Sequence, residues 1–468
     1  MTSLLAPTSK APVDGKFTLP NSTRAVMGLQ HLFAMFGATI LVPLLTGLSV
    51  QVTLLAVGIG TLLFHVIAGP RKAPPVFLGS SFAFMVGIRL ITDAETGPFA
   101  GMGYTETELL AYATGGIMVA GLLYLVLAGV VKLVGVRRFM EFLPTVVTAP
   151  TVILIGVMLA PFAINQSAEN LFLAVVTIAI IVGFSIWGKG MSKIIPILLG
   201  IVGAYLIAMV MHFGLGMANA DGSAILDFGR AGTALVGMPP FIAPRFNVVS
   251  ILIMLPFALA TIAEHIGDMV ILSRLSGRDY ITEPGLVRTL CGDGIATIVG
   301  GGIGGPATTT YSENVGVVSL TKIFDPRVVQ LAAIYAVVLG FSPMFASVIY
   351  SIPDSIIGGA SFILYGMIAA VGIRNLVDDR VDLADMKNTI IVSVMLVVGL
   401  GLRFGNPITI GIGGTDLPID RLGVAIAVII GIVLNLVLPS QKTSDDDAAA
   451  DTLVTDESEV REPELIHA

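Results

Sequence analysis

Gly305-Pro306-Ala307-Thr308-Thr309-Thr310-Tyr311-Ser312-Glu313-Asn314 breaks a chain that is otherwise a succession of apolar stretches. It has a counterpart far upstream in Pro74-Pro75-Val76-Phe77-Leu78-Gly79-Ser80-Ser81-Phe82-Ala83-Phe84. Each segment passes from proline through a short extended-looking stretch and small hydroxyl residues into a helical continuation, which reads as a strand followed by a half-length helix. Extended backbone at membrane depth must be hidden from lipid, and two such strands satisfy one another by pairing antiparallel. The N-termini of the two half-helices then aim unpaired N–H groups at one shared position. The competing reading, two poor helices kinked by proline, does not explain why the breaks fall at matching places in the chain.

The composition sets the frame for those breaks. The chain has 468 residues, of which 55% are hydrophobic and only 12% charged, about half the roughly 25% charged residues of a soluble domain. That excludes a soluble enzyme, a nucleic-acid binder and a disordered protein, and points to a polytopic membrane protein. Stretches of membrane-spanning length lie near 25–46, 51–69, 109–131, 139–160, 169–187, 192–214, 248–272, 326–349, 353–373, 387–402 and 421–438. With the shorter or interrupted stretches 76–91, 285–301 and 307–321, the expected count is 14 crossings in an all-α membrane fold.

Loop charges support that count. With the N-terminus inside, one side of the membrane receives 20 of the 25 Lys and Arg residues, and the other receives Arg89, Arg230, Arg245, Arg403 and Arg421. Both termini are therefore expected in the cytoplasm. Fourteen divides into seven plus seven, and an odd number per half inverts the second half relative to the first. The broken spans are then the third and the tenth, one in each repeat. The loop 215–247, rich in Gly, Pro and small residues, reads as an ordered outer surface loop. The net charge of −7 belongs to the tail: from Ser440 onward there are nine acids against two bases, so the membrane body is formally neutral. The single cysteine, Cys291, permits no internal disulfide and reads as a packing residue. The first 20 residues lack the apolar core of a cleavable signal peptide.

Ionisable residues inside spans are costly and normally face a cavity. The densest group is Ala263-Glu264-His265-Ile266-Gly267-Asp268 in the eighth span. Glu264 and Asp268 are four apart and share one helical face; His265 is turned about 100° away and reads as a structural hydrogen-bonder. Glu313 falls at the start of the tenth half-helix, where the macrodipole favours an anion. Asp293, between Gly292 and Gly294, fits either a helix cap or a functional acid. His31, after Gln30 at the start of the first span, reads as a supporting residue, and His65 as a packing residue. Carboxylates, aromatic rings and half-helix N-termini suit a small, flat, polar ligand of the uracil type, with Phe82 and Tyr311 sandwiching or abutting its ring. A carboxylate accepts hydrogen bonds and, once protonated, also donates. Crowded buried carboxylates take up protons near neutral pH, a physical route to proton coupling.

At these residues the chain resembles the nucleobase–ascorbate transporters, also called nucleobase:cation symporters. The run Glu313-Asn314-Val315-Gly316-Val317-Val318-Ser319-Leu320-Thr321-Lys322 fits the family signature: Gln or Glu, Asn, any residue, Gly, four residues, then Thr and a base. Gln30-His31, Phe36-Gly37-Ala38-Thr39, Leu78-Gly79-Ser80-Ser81-Phe82, Ala263-Glu264-His265 and Ile357-Gly358-Gly359-Ala360 with Tyr365 look like its other landmarks. The matches extend from about residue 25 to 438.

The resemblance implies a core domain (24–138 and 248–350, spans 1–4 and 8–11) and a gate domain (139–247 and 351–439, spans 5–7 and 12–14). These lie between a cytoplasmic N-terminal tail (1–23) and an acidic, disordered C-terminal tail (440–468). It implies a homodimer in the cytoplasmic membrane and an elevator-like motion of the core. Glu264 and Glu313 would bind the base, Phe82 would pack on its ring, Tyr311 and Ser312 would add contacts, and Ala38 would line the pocket. Asp268 with Glu264 would carry proton coupling, and His31, Asp293, Asn314 and Tyr365 would support the site. No cofactor or metal is implied, and no nucleic acid partner. Uracil-type members carry Glu at the first signature position and purine-type members usually Gln, so Glu313 favours uracil. Asp268 departs from that pattern, since uracil-type members carry His there. It keeps xanthine or uric acid as the alternative substrate. An anion transporter or channel of the same fold is a remoter reading, opposed by two acids at the site. The sequence shows no metal-ligand spacing, phosphate loop or nucleophile–His constellation of an enzyme. Protons rather than sodium are the expected coupling ion.

Overall fold

The computed structural model describes residues 19–439, apart from 96, 137, 140–143, 220–221, 227–231, 233, 407 and 413–414. Residues 1–18 and the acidic tail expected at 440–468 lie outside the described residues. The first half of the chain forms α1 (Asn21–Thr46), α2 (Val50–Ala68), β1 (Leu78–Ser80), α3 (Phe82–Thr92), α4 (Glu106–Val134), α5 (Thr145–Ser167), α6 (Leu171–Trp187) and α7 (Pro196–Met209). The second half forms α8 (Val248–Ser276), α9 (Leu286–Gly302), β2 (Thr308–Thr310), α10 (Ser312–Thr321), α11 (Pro326–Gly340), α12 (Pro343–Tyr350), α13 (Asp354–Asp378), α14 (Met386–Phe404), β3 (Thr409–Ile412), β4 (Thr415–Pro418) and α15 (Gly423–Val437).

Local chemistry sets the ends of these helices. Thr105 opens α4 with a reciprocal cap: its hydroxyl accepts the Glu108 N–H, and the Glu108 carboxylate accepts the Thr105 N–H at 3.0 Å. α1 stops at Gly47, whose φ of 80° only glycine adopts without strain. The crossing expected at 139–160 is displaced, because Pro144 caps α5 and the helix runs on to Ser167. α11 and α12 meet at an 87° bend. A hairpin, β3 with β4, precedes α15.

Among the described residues, eight helices are long and apolar enough to cross a membrane, and nine if the bent pair α11–α12 is one span. Three shorter apolar helices, α3, α6 and α15, accompany them. The protein is thus a multi-pass, helical membrane protein. Its helices pack in two sets: α2 and α4 lie against α9, α2 and α1 against α11, and α4 against α8, whereas α5 lies along α13, α14 along α15 and α6 along α7.

The expected strands are present and pair antiparallel, with Leu78 opposite Thr310, Gly79 opposite Thr309 and Ser80 opposite Thr308. The ladder runs one bond further at each end, from Tyr311 N–H to Phe77 O (3.0 Å) and from Ser81 N–H to Ala307 O (2.9 Å). A two-stranded sheet leaves two free edges, and both are closed by threonine. Thr61 on α2 accepts the Leu78 N–H at 2.9 Å and donates to Leu78 O at 3.3 Å. Thr297 on α9 accepts the Thr308 N–H at 3.3 Å and donates to Thr308 O at 3.0 Å. Each hydroxyl does the work of a missing neighbouring strand, which non-helical backbone inside a membrane protein requires.

Candidate functional site

The strand pair delivers the N-termini of α3 and α10 to one place, and α8 passes beside them. Asp268 ties these parts together. Its carboxylate accepts the Thr310 hydroxyl at 2.6 Å and the Ser312 hydroxyl at 3.0 Å, and its side chain is almost wholly buried. Glu264, one turn earlier on the same face, is exposed, Ser312 is exposed, and Glu313 in the first turn of α10 is half-buried. Glu264 lies within electrostatic reach of Asp268, Glu313 and Asp293. The expected sharing of one face by Glu264 and Asp268 holds, and the two differ in surroundings: Glu264 is open to a ligand, whereas Asp268 is engaged by hydroxyls.

The aromatic pair forms one wall. The Phe82 and Tyr311 rings are parallel to within 5° with 6.3 Å between centroids, short of the about 7 Å that a third ring stacked between them needs. A flat ligand therefore abuts this wall in the present arrangement and is not sandwiched by it. Tyr311 is fixed by its hydroxyl, which donates to Ser80 O at 2.7 Å, while the Ser80 hydroxyl donates to Thr39 O at 3.1 Å. That second bond reaches α1 beside the buried Ala38.

Asn314 reaches α1 as well. Its amide nitrogen lies 3.0 Å from His31 Nδ1 and donates to His31 O at 3.1 Å, so these two supporting residues are brought together. Asp293 sits in the middle of α9, seven residues after that helix begins, so it is no cap. Its Oδ2 lies 3.2 Å from His265 Nδ1, with both side chains fully buried. His265 thus has a buried structural partner in the Asp293 carboxylate, within ion-pair distance of its Nδ1, while its Nε2 has no hydrogen-bond partner among the described residues. His65 is satisfied on one side only, its Nδ1 lying 2.8 Å from Thr61 O. Tyr365 is buried on α13, within electrostatic reach of Arg89 on α3. The hydroxyls of Thr310, Thr61 and Thr297 and the backbone carbonyl of Thr39 hold the site's frame, and none of them stands out in the sequence.

The face of α8 that carries Glu264 is open in one direction. Towards the helix N-terminus, Ala260, Phe257 and Ile253 are buried; the last two line a small cleft with Met158 of α5 and Val424 and Ala425 of α15. Towards the C-terminus, Gly267, Ile271 and Arg274 are exposed. This face of α8 is thus exposed towards its C-terminal end and packed towards its N-terminal end. Among the described residues, no group of three or more His, Cys, Asp or Glu side chains is arranged to hold a metal.

A multi-pass helical bundle with an accessible carboxylate at the meeting point of two half-helices is a membrane permease by class. Residues 23–408 match the permease family, and the chain belongs to it, the family of nucleobase–ascorbate transporters. The uracil permease of Bacillus subtilis (strain 168) is 38% identical over 440 residues, 90% of this chain and 94% of that protein. The putative pyrimidine permease RutG of Escherichia coli (strain K12) is 40% identical over 386 residues, 82% and 84% of the two chains. Among solved structures, the transmembrane domain of the cyanobacterial bicarbonate transporter BicA superposes with a TM-score of 0.58 at 17% identity, over 90% of this chain and 98% of that one. The murine anion transporter Slc26a9 in its inward-facing state gives 0.64 at 12% identity, over 90% and 69%. These two likenesses concern the fold alone.

Proposed function

We propose that this chain imports a nucleobase, uracil above all, together with protons across the cytoplasmic membrane. The observation that carries the reading is the open Glu264 carboxylate beside Glu313 and the Phe82–Tyr311 wall, at the N-termini of two half-helices. A pyrimidine-dione edge offers N–H donors to the carboxylates and C=O acceptors to unpaired backbone N–H groups. The names of the relatives support the substrate. Glu264 and Glu313 bind the base, Phe82, Tyr311, Ser312 and Ala38 complete the pocket, and His31, Asp293, Asn314 and Tyr365 support it. Asp268 and Glu264 carry the coupling proton.

In this reading 14 crossings form two inverted repeats. Residues 24–138 and 248–350 make a core that carries the site, and 139–247 and 351–439 make a gate against which the core slides. Both termini are cytoplasmic, the exposed face along Gly267, Ile271 and Arg274 is directed to the cytoplasm, and two copies form a dimer. Proteoliposomes with an imposed pH gradient test the coupling: radiolabelled uracil should accumulate with the gradient. Uptake indifferent to the gradient and stimulated by sodium would remove proton coupling. Asp268, an acid where uracil-type members carry His, favours xanthine or uric acid as the second reading. Competition among uracil, thymine, xanthine and uric acid separates the two.

A further inference from the structure

Ala234-Leu235-Val236-Gly237-Met238-Pro239-Pro240-Phe241-Ile242-Ala243-Pro244-Arg245-Phe246-Asn247 leads into α8 without helix or strand. It is nevertheless firmly held. The Gly237 N–H donates to Phe341 O at 2.8 Å, the Met344 N–H to Ala234 O at 3.0 Å, and the Arg245 N–H to Ala111 O at 2.8 Å. Two glycines let it lie close: a Cβ on Gly115 would stand 1.9 Å from Arg245 O, and one on Gly304 2.7 Å from Ile242 N. The segment is a strap fixed to α4, to the turn after α9 and to the α11–α12 bend.

Its outer side is apolar. Leu235, Val236 and Met238 are 72%, 79% and 80% exposed, and Phe241 and Phe246 are about half exposed. A contiguous patch of this kind marks an interaction surface. Three features say what covers it. Pro239, Pro240 and Pro244 carry no N–H, which reduces the donors an irregular backbone would leave unpaired against hydrocarbon. The one charge in the segment, Arg245, is paired with the Glu108 carboxylate at 2.8 Å. The patch also continues into Val248 and Leu252, exposed apolar residues at the start of α8, a helix apolar enough to cross a membrane.

We propose that this strap is a lipid-binding surface, seated in the membrane leaflet at the N-terminal end of α8 with Leu235, Val236, Met238 and Phe241 among the acyl chains. A protein partner would more naturally meet charged or polar groups at the rim of such a patch; here the nearest charge is already neutralised within the chain. Because the strap is stapled to helices that frame the site, it stays with them.

The chain has one tryptophan, Trp187, which makes a direct test practicable. The full-length protein with Trp187→Phe and a single new tryptophan, Val236→Trp in one variant and Met238→Trp in another, is reconstituted in phosphatidylcholine vesicles with plain or brominated acyl chains. The proposal expects both tryptophans to lose most of their emission in brominated lipid and little of it to aqueous iodide. Quenching by iodide but not by brominated lipid would place the strap in water and overturn the proposal. Protection from both quenchers would mean that protein, such as a second copy, covers it, and would overturn it equally. An elution profile matching that of the Trp187→Phe parent establishes that each variant is assembled, and the two positions guard against one failing.

Discussion

Tyr311 lies across Gly79. A Cβ at position 79 would stand 2.1 Å from the Tyr311 ring, and the ring cannot swing aside freely because its hydroxyl donates to Ser80 O. One strand thus keeps a bare backbone position so that the residue following the other strand can lay an aromatic ring over it. That contact sets the plane of the wall shared with Phe82 and links strand register to the shape of the site.

Replacing Gly79 with Ala is expected to displace the ring or spread the strands, costing about 1–3 kcal/mol, the range for overpacking a filled interior. Thermal unfolding should show the loss, and uracil binding by the same sample should weaken. A variant with unchanged melting and unchanged affinity would mean that Tyr311 adapts and does not define the site.

Thr61 and Thr297 close opposite edges of the strand pair, so Thr61→Val and Thr297→Val should be destabilising to a similar degree. Each substitution leaves a buried N–H and C=O without the hydroxyl, at about 1–3 kcal/mol. Melting temperatures in detergent measure this. A marked loss in one variant and none in the other would show that the two edges are not equivalent.

Glu313→Gln keeps the shape of the side chain but removes its charge. Uracil affinity should fall by about tenfold or more, the worth of one hydrogen bond to a charged acceptor, with the fold intact. Equilibrium binding with xanthine as competitor reads the outcome; undiminished uracil affinity would take Glu313 out of the pocket.

Asp268→Asn should behave differently. The amide oxygen still accepts from Thr310, so uracil binding should stay within about threefold of the parent, but the side chain no longer carries a proton. Uptake driven by a pH gradient should drop while uracil exchange at equal pH persists. Full gradient-driven uptake in this variant would remove Asp268 from proton coupling.

Much of this arrangement is legible in the sequence, for physical reasons. Proline followed by small hydroxyl residues in a span is costly unless the backbone finds partners, so the breaks at Leu78–Ser80 and Thr308–Thr310 announce a strand pair. Glu264 and Asp268 stand out because acids are rare in apolar helices. The roles of Thr61 and Thr297 do not stand out, because a threonine in an apolar helix ordinarily bonds back to its own helix, as Thr151 does to Val147 O at 2.9 Å. The different surroundings of Glu264 and Asp268 are also hidden, since they depend on residues 42 and 44 positions away. The neighbour of Asp293 is concealed in the same way: the sequence leaves a cap and a functional acid open, and the course of α9 through Asp293 removes the cap and sets its carboxylate beside His265. The strap before α8 reads only as a Gly- and Pro-rich loop, because its anchors are backbone groups on three other elements.

The central claim is that Glu264 holds a nucleobase in the open cleft. Isothermal titration of uracil into the purified protein and into its Glu264→Gln variant tests it most directly. The parent should bind uracil saturably and the variant should bind it at least about tenfold more weakly, with both melting cooperatively. Equal uracil affinity in parent and variant, or no uracil binding by a well-folded parent that does bind xanthine, would contradict the account.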